Sequence, residues 1–319
     1  MKLCTFEVAT AVGRLQRLGA MTEHGIVDLN FSYAARLAAA GERRPQIVAN
    51  ALLPANMLEF LDAGAQARAE EAVADVAKFE RGPNEEMLRY RSEDVRLLSP
   101  LPNPRSLRDF YAFEAHVKKG FEKRGEAMPA EWYQMPVYYK SGHHGIIGSG
   151  EDVRWPSFTK RFDYELELAA VIGRQGSNIE AADATRYIAG YMVMNDFSAR
   201  DIQKREMAVR LGPAKGKDWC TALGPYLVTP DEAGDVYNLA MTARVNGELW
   251  SEGNSGSIHF TFEQMIEFLT QDDTVYPGDV IGSGTVGTGC GLELDRWVQR
   301  GDVMELSIER LGTLRNRVV

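Results

Sequence analysis

Three prolines lie within five residues of this chain, at Pro100, Pro102 and Pro104. Proline lacks a backbone N–H and fixes φ, so neither a regular helix nor a central strand can run through this segment. The patterns on its two sides also differ. Residues 31–40 and 63–79 have helical periodicity, whereas short apolar runs, often with a glycine at one end, recur beyond Pro104. We therefore predict an N-terminal domain of residues 1–100, with strands and two helices, and a β-rich domain of residues 101–319.

Charge and cysteine content exclude several classes of partner. The 319 residues carry a net charge of −9, whereas a protein that binds nucleic acid normally has a basic surface. The three cysteines, Cys4, Cys220 and Cys290, form no CxxC pair and indicate neither a disulfide framework nor a thiolate zinc site. Charged residues interrupt the apolar N-terminal stretch, and no window approaches the ~18–20 apolar residues of a membrane span. We expect a cytoplasmic protein that binds neither nucleic acid nor a membrane.

Two glutamates at alternate positions lead into an apolar run in residues 162–173. Side chains alternate between the faces of a strand, so Glu165 and Glu167 would share one face, and residues 169–172 are predicted core. Neighbouring carboxylates at the edge of a core repel each other and lose hydration, at a cost of several kcal/mol per ion. A bound divalent cation would compensate for this cost. The alternative is a strand whose glutamates face water.

Two further segments place acidic side chains beside apolar runs. Asp196 follows the apolar residues 191–194 and offers a third oxygen ligand, although an Asx turn after a strand also explains it. Asp109 offers a fourth carboxylate, and His116 lies nearby in sequence among Tyr and Glu residues, as a general base would. The alternative for this segment is the start of an amphipathic helix with a histidine at the edge of the core.

Local signals in the second part of the chain predict one helix and two mobile loops. Thr261 and Gln264 have the spacing of a capping box, and apolar residues follow them at helical intervals. Residues 118–131 are charged and contain glycine, and residues 140–150 are rich in Gly and His. We predict a loop in each of these two segments.

Five motifs, in order along the chain, resemble those of the fumarylacetoacetate hydrolase family. They are Asp109 to His116 (D-F-Y-x4-H), residues 163–167 (D-Y-E-L-E), residues 195–203 (N-D-F-S-A-R-D-I-Q), residues 211–217 (L-G-P-A-K-G-K) and residues 277–285 (P-G-D, then S-G-T). Together they cover roughly residues 105–295. The resemblance implies an α+β, β-rich fold, with a mixed β-roll C-terminal domain preceded by a smaller α/β N-terminal domain.

The resemblance also implies roles for individual residues. The metal ligands would be Asp109, Glu165, Glu167 and Asp196, an all-oxygen set that points to Mg²⁺, with Ca²⁺ or Mn²⁺ as substitutes. His116 would be the base and Glu293 the carboxylate that orients it, with Lys217 and Gln203 as candidate oxyanion donors. Lys217 and Thr221 match positions that flank the metal. The implied substrate contacts are Tyr111, Arg124, Tyr139, Arg200 and Thr285.

The activity that the resemblance implies is Mg²⁺-dependent hydrolysis of a carbon–carbon bond in a β-diketone or acylpyruvate-type acid of aromatic catabolism, by a homodimer. The same scaffold also supports 2-oxo-acid decarboxylases and tautomerases and sugar-acid dehydratases. His116 together with Glu293 favours hydrolysis, because activation of water needs a base. The alternative of another class is a non-catalytic metal- or carboxylate-binding domain, which would need neither His116 nor Lys217. In each case the partner is a small 2-oxo or diketo acid.

Overall fold

The computed structural model describes residues 1–11 and 13–319, which form many strands and several mostly short helices. The α-helices are α1 (Leu29–Ala39), α2 (Pro45–Leu52), α3 (Met57–Asp62), α4 (Gln66–Asp75), α5 (Glu114–Arg124), α6 (Arg200–Ala208), α7 (Pro230–Ala233), α8 (Phe262–Leu269) and α9 (Gly291–Leu294). Short 3-10 helices lie at Val76–Lys78, Ser92–Asp94, Ala130–Tyr133, Ala181–Tyr187 and Ser255–Ser257.

The strands are β1 (Lys2–Thr10), β2 (Gly13–Thr22), β3 (Gly25–Asp28), β4 (Arg89–Tyr90), β5 (Arg96–Leu97), β6 (Ser106–Phe110), β7 (Tyr138–Ser141), β8 (Ile146–Ile147), β9 (Asp152–Val153), β10 (Phe162–Asp163), β11 (Glu165–Ile172), β12 (Gly176–Ser177), β13 (Ile188–Asn195), β14 (Ser198–Ala199), β15 (Thr221–Val228), β16 (Ala240–Val245), β17 (Glu248–Asn254), β18 (Thr274–Val275), β19 (Asp279–Cys290), β20 (Val303–Ile308) and β21 (Gly312–Val318). In the described part of the chain, the largest sheet has 12 strands, with the path β4-β3-β2-β1-β15-β13-β11-β19-β6-β7 and with β5 on β1 and β8 on β15. A second sheet has the order β17-β16-β20-β21-β9. The prediction of a β-rich α+β fold is confirmed.

Strand β11 lies in the middle of the large sheet and is buried along its whole length. Its even-numbered side chains pack into one apolar core and its odd-numbered side chains face the other side of the sheet. Leu168 and Ala170 pack in the larger core, which also contains α8, whereas Ala169 and Val171 pack in a second core with the N-terminal helices. This is the period-two alternation of a strand buried on both faces. By the same parity, Glu165 and Glu167 continue the row of Ala169 and Val171.

The first hundred residues share both a sheet and a core with the rest of the chain. Strand β1 pairs in antiparallel fashion with β15, with Lys2 opposite Val228. Leu29 and Phe60 of the N-terminal helices lie in one apolar cluster with Leu223 of the body. Strands from both sides of the predicted boundary at residues 100/101 therefore belong to one continuous sheet. The division into two domains stays a proposal.

Several local predictions can be compared with the structure directly. Helix α8 has the expected capping box, in which the Thr261 and Gln264 side chains each accept a hydrogen bond from the other's backbone N–H. The expectation of a loop over residues 118–131 is wrong for its first half, because α5 continues to Arg124 and ends at Gly125, whose φ is 70°. Helices α2 and α3 were not expected from the periodicity. No helix among residues 1–11 and 13–319 has the length and apolar character needed to cross a membrane.

Candidate active site

Four buried carboxylates meet where strands β6, β11 and β13 lie near one another. Asp109 is on β6, Glu165 and Glu167 are on β11, and Asp196 directly follows β13. One ligand atom from each lies within 4.8 Å of those of the others. Strand β19 lies between β11 and β6, and its Gly282 leaves room for the group, since a Cβ there would lie 2.5 Å from Asp109 Oδ1. The structure thus brings together the four predicted metal ligands.

The electrostatics of this carboxylate cluster are unbalanced. Burial and the neighbouring Asp196 raise the pKa of Asp109 well above its usual range, and burial and Asp109 do the same for the pKa of Glu167. Burial also raises the pKa of Asp196, although Lys217 opposes this. Glu165 differs: burial acts to raise its pKa, but the nearby Lys217, Arg200 and His116 lower it overall. Three of the four acids therefore hold protons more tightly than usual, as expected where buried anions face too few cations.

Three buried oxygens near the cluster have no hydrogen-bond partner among the described residues, namely Glu167 Oε2, Asp196 Oδ1 and Thr221 Oγ1. Buried polar atoms are normally paired, so free oxygens at this point need an explanation. Carboxylate and hydroxyl oxygens are ligands that hard divalent cations bind. The residues present therefore fit a divalent cation.

Polar side chains surround the cluster and contact its carboxylates. The Lys217 ammonium donates to Glu165 and Asp196, and the Tyr139 hydroxyl also donates to Asp196. Thr285 Oγ1 donates to Glu167 Oε1 at 3.2 Å. Each of these residues was predicted from the family resemblance. Their contacts place them beside the candidate cation, while their roles toward a substrate stay predictions.

Buried His116 and partly buried Glu293 form a pair next to the carboxylates. Glu293 lies on the single turn α9, and its Oε1 contacts Nδ1 of His116, while its Oε2 accepts the Thr288 N–H at 2.6 Å. The other imidazole nitrogen, Nε2, lies 4.0 Å from Glu165 Oε1. The imidazole thus has one nitrogen held by a carboxylate and the other directed to the cluster, which is the arrangement of an oriented base.

The remaining predicted residues lie at different distances from this centre. The Tyr111 and His116 rings meet edge to face, with centroids 5.4 Å apart, and burial raises the pKa of Tyr111 to about 12. Gln203 Oε1 accepts from Arg200 Nη1 at 3.0 Å, so its amide faces the arginine. Arg124 ends α5 at the rim, where its guanidinium bonds Glu126 and lies over the Phe121 ring. These contacts are with Glu126 and Phe121 rather than with the four carboxylates.

Arg200 and Asp163 form a connection that sequence reasoning did not find. Arg200 is buried and donates from Nε to Asp163 Oδ2 and from Nη2 to Glu165 Oε1, each at 2.8 Å. Asp163 itself is fully buried. A signal was present, because Asp163, Glu165 and Glu167 occupy three alternate positions of one segment. Arg200 thus contacts two carboxylates, and its assignment as a substrate-binding residue stays a prediction.

Comparisons with known proteins agree with this geometry. A family model described as fumarylacetoacetate (FAA) hydrolase C-terminal matches residues 106–319. The chain is 34% identical over 268 residues to the human mitochondrial oxaloacetate tautomerase FAHD2A, covering 84% of this chain and 81% of that protein. It is 32% identical over 273 residues to the oxaloacetate tautomerase YisK of Bacillus subtilis (strain 168), covering 83% and 87% respectively.

Among solved structures, the fumarylacetoacetate hydrolase of the psychrophile Exiguobacterium antarcticum is similar with a TM-score of 0.70 and 25% identity, and 99% of each chain is covered. Its similarity extends over the N-terminal region as well as the part that the family model matches. The family model itself matches more than half of the chain. This chain belongs to the fumarylacetoacetate hydrolase family.

Proposed function

We propose that this protein is a metal-dependent oxaloacetate tautomerase, which interconverts the keto and enol forms of a 2-oxo dicarboxylic acid. The observation that carries the proposal is the position of His116, whose Nδ1 is held by Glu293 and whose Nε2 lies 4.0 Å from Glu165. Proton transfer at a carbon beside a carbonyl needs a base oriented in this way toward the site where the carbonyl is polarised. Both tautomerase relatives, at 34% and 32% identity, support this substrate class.

The four clustered carboxylates are the proposed ligands of the cation. Asp109, Glu165, Glu167 and Asp196 would hold the cation, with Mg²⁺ as the expected ion and Ca²⁺ or Mn²⁺ as substitutes. A divalent cation supplies Lewis acidity toward the 2-oxo and carboxylate oxygens of a substrate.

His116 Nε2 would take a proton from C3 of the substrate, and return of that proton from the imidazolium to the C2 oxygen would complete the enol and regenerate the base. Lys217, already beside two of the carboxylates, is the candidate donor to the oxygen that gains charge. Arg124 at the rim is the candidate partner of the distal substrate carboxylate, since a guanidinium binds a carboxylate through two parallel hydrogen bonds. Tyr111 lies between this rim and His116 and would orient the same end of the substrate.

Hydrolysis of a carbon–carbon bond, which the sequence favoured, is the second candidate. The His116–Glu293 pair could equally take a proton from water, and the Exiguobacterium antarcticum protein of similar structure is named as a hydrolase. The tautomerase is favoured over the hydrolase because the relatives with the higher identity are named as tautomerases. Membership of an enzyme family argues against the non-catalytic alternative.

A paired assay separates these activities. Purified protein is mixed with oxaloacetate and, separately, with a series of acylpyruvates, with Mg²⁺ or with EDTA, while enol or diketone absorbance and released acid are followed together. Faster enol–keto conversion without acid release supports the tautomerase. Loss of diketone absorbance with one new acid per substrate supports the hydrolase. Conversion that is equally fast in EDTA would contradict both.

Replacing His116 by glutamine tests the base. We expect H116Q to lower the rate by about 10²–10⁴-fold, the range for a general base, and to retain Mg²⁺ binding in calorimetry. The matched control is H24Q, because His24 is largely exposed on the turn before β3. A rate in H116Q equal to that of the wild type would remove His116 from the mechanism.

Assembly and compartment are also proposed rather than observed. We propose a homodimer in the cytoplasm, as the family resemblance and the reduced cysteines indicate, although the human relative is named as mitochondrial. Light scattering coupled to size-exclusion chromatography measures the mass directly, and a monomer mass near 35.5 kDa would contradict the dimer.

A further inference from the structure

One buried carboxylate, that of Asp163, is connected both to the His116–Glu293 pair and to the proposed metal ligands. Asp163 lies on the short strand β10, which pairs with β14 just before Arg200, and it is fully buried. Its Oδ1 accepts from the backbone N–H groups of Gly291 at 2.8 Å and Tyr164 at 3.0 Å. Its Oδ2 accepts from Arg200 Nε at 2.8 Å and from the Leu292 N–H at 3.0 Å. Four donors therefore converge on one side chain.

The first arm of this arrangement leads to the base. Gly291 and Leu292 open the single turn α9, and Asp163 accepts the N–H groups that have no partner within such a turn. Glu293 is the next residue and contacts His116. Gly291 is packed so closely that a Cβ there would lie 2.6 Å from Asp163 Oδ1 and 2.2 Å from the Arg296 carbonyl oxygen. The position of Glu293 thus depends on the contact between Asp163 and α9.

The second arm leads to the metal ligands. Arg200 donates to Asp163 from Nε and to Glu165 from Nη2, so the guanidinium is held between two carboxylates. A planar guanidinium held on one edge presents its other donors in a fixed direction. Arg200 therefore sets the plane of the Glu165 carboxylate, whose second oxygen faces Lys217.

We propose that Asp163 is a positioning residue that holds the Glu293–His116 pair and the metal ligand Glu165 in register through one carboxylate. Outer partners of metal ligands and bases typically change affinity or activity by about 10- to 100-fold when they are replaced. The effect of Asp163 on turnover rests on the proposed role of His116 as the base. The two contacts themselves can be tested without turnover.

The main test is D163N, which keeps the shape of the side chain but presents an NH₂ group to donors. Whichever way the amide is turned, its nitrogen faces two donors: either the Gly291 and Tyr164 N–H groups, or Arg200 Nε and the Leu292 N–H. We expect kcat to fall about 10- to 100-fold with a smaller change in KM. The matched control is D302N, since Asp302 also accepts from a backbone N–H and a side-chain amide, at Gln299 and Asn246, on contacts that include none of the site residues.

Two measurements report separately on the His116–Glu293 contact and on the metal ligands. The first is the downfield imidazole N–H proton of the His116–Glu293 contact in NMR, assigned by its loss in H116Q. The second is Mg²⁺ affinity in calorimetry, expected to weaken about 10- to 100-fold. D163N should change both readouts, and D302N neither. A folded D163N in which either readout equals that of the wild type would overturn the proposal.

Two further variants keep the test decisive if D163N does not fold. G291A introduces a Cβ that collides with Asp163 Oδ1 and with the Arg296 carbonyl oxygen, so it should remove the NMR signal and, through the displaced Asp163, also weaken Mg²⁺ binding. R200K keeps the charge but cannot bridge two carboxylates, so it should weaken Mg²⁺ binding and spare the signal. A normal NMR signal in G291A, or unchanged Mg²⁺ affinity in both variants, would overturn the proposal. A wild-type protein with both readouts but no turnover would refute the proposed function and leave the positioning role supported.

Discussion

Two clusters of buried charged side chains in this protein are built differently. In the N-terminal region, Arg17 donates to both oxygens of Asp28 at 2.7 and 2.8 Å and also to Asn30, while Asp28 accepts the Phe31 N–H at the start of α1. One cation meets one anion, and Arg17 also lies 3.6 Å over the Phe31 ring. This cluster is balanced within itself.

The carboxylate cluster of the candidate active site is not balanced in this way. Among the described residues, the cationic side chains that hydrogen-bond to the four carboxylates are Lys217 and Arg200, and Arg200 is shared with a fifth carboxylate, Asp163. Within the described residues, Glu167 and Asp196 each retain an oxygen without a partner, whereas no oxygen of Asp28 does. Burial alone therefore does not identify a functional site. An excess of one charge, with free ligand atoms, does so.

The largest expected effect on stability concerns the balanced cluster. We expect R17M to lower the free energy of unfolding by about 3–5 kcal/mol, because it leaves the Asp28 carboxylate buried without its cation. Urea denaturation of the two proteins measures the difference. The double variant R17M/D28N should recover much of the loss, since the second change removes the uncompensated charge. A loss below 1 kcal/mol in R17M would show that the two clusters do not differ as described.

The next effect separates the clusters by their response to metal. Saturation of the wild type with Mg²⁺ at about 100 times its dissociation constant should stabilise it by about 2.7 kcal/mol, because the ion binds only the folded state. E167Q should lose this increase in melting temperature. In EDTA it should melt at or above the wild type, since it removes one of the repelling carboxylates. An E167Q protein that still responds to Mg²⁺, or melts well below the wild type in EDTA, would contradict the assignment.

The smallest effect concerns an exposed pair between the N-terminal region and the body. Arg105 donates to both oxygens of Asp62 at 2.8 and 2.9 Å and lowers the pKa of that carboxyl. A carboxyl whose pKa is lower in the folded state than in the unfolded state stabilises the folded protein at pH values above its unfolded pKa of about 3.9. This stabilisation is lost as the pH falls through the folded-state pKa. D62N should therefore cost at most about 1 kcal/mol near neutral pH.

The same D62N comparison in acid provides the control. The difference in urea stability between wild type and variant should shrink as the pH falls, whereas a difference that persists in acid would mean that Asp62 acts by packing. We expect this bidentate contact to contribute little because water can reach it, in contrast to the buried contact between Arg17 and Asp28.

The members of the carboxylate cluster could be predicted from sequence because its geometry is partly local. The alternation of Glu165 and Glu167 follows from strand geometry, and the motif around Asp196 marks the end of a strand. The pairing of His116 with Glu293 spans 177 residues and depends on the order of strands in the sheet, which local periodicity does not contain. Only the family resemblance supplied that pair.

Other elements were missed although signals existed. Pro45 at the first turn of α2 and Asn56 as the cap of α3 are helix-start signals, but these helices have too few residues for a clear periodicity. Residues 118–124 of α5 were expected to belong to a loop because they are charged and contain glycine, yet Val117 and His116 are buried and Gly125 provides the left-handed end of the helix. Tertiary packing decided these segments.

The parity of β11 has a consequence for folding. A one-residue slip of this strand against its neighbours would exchange its two faces. Both glutamates would then enter the face occupied by Leu168 and Ala170 in the larger apolar core, at a cost of several kcal/mol per ion. Misregistered chains are therefore disfavoured by the same two side chains that face the candidate cation, so the acidic pair acts against misfolding before any substrate is present.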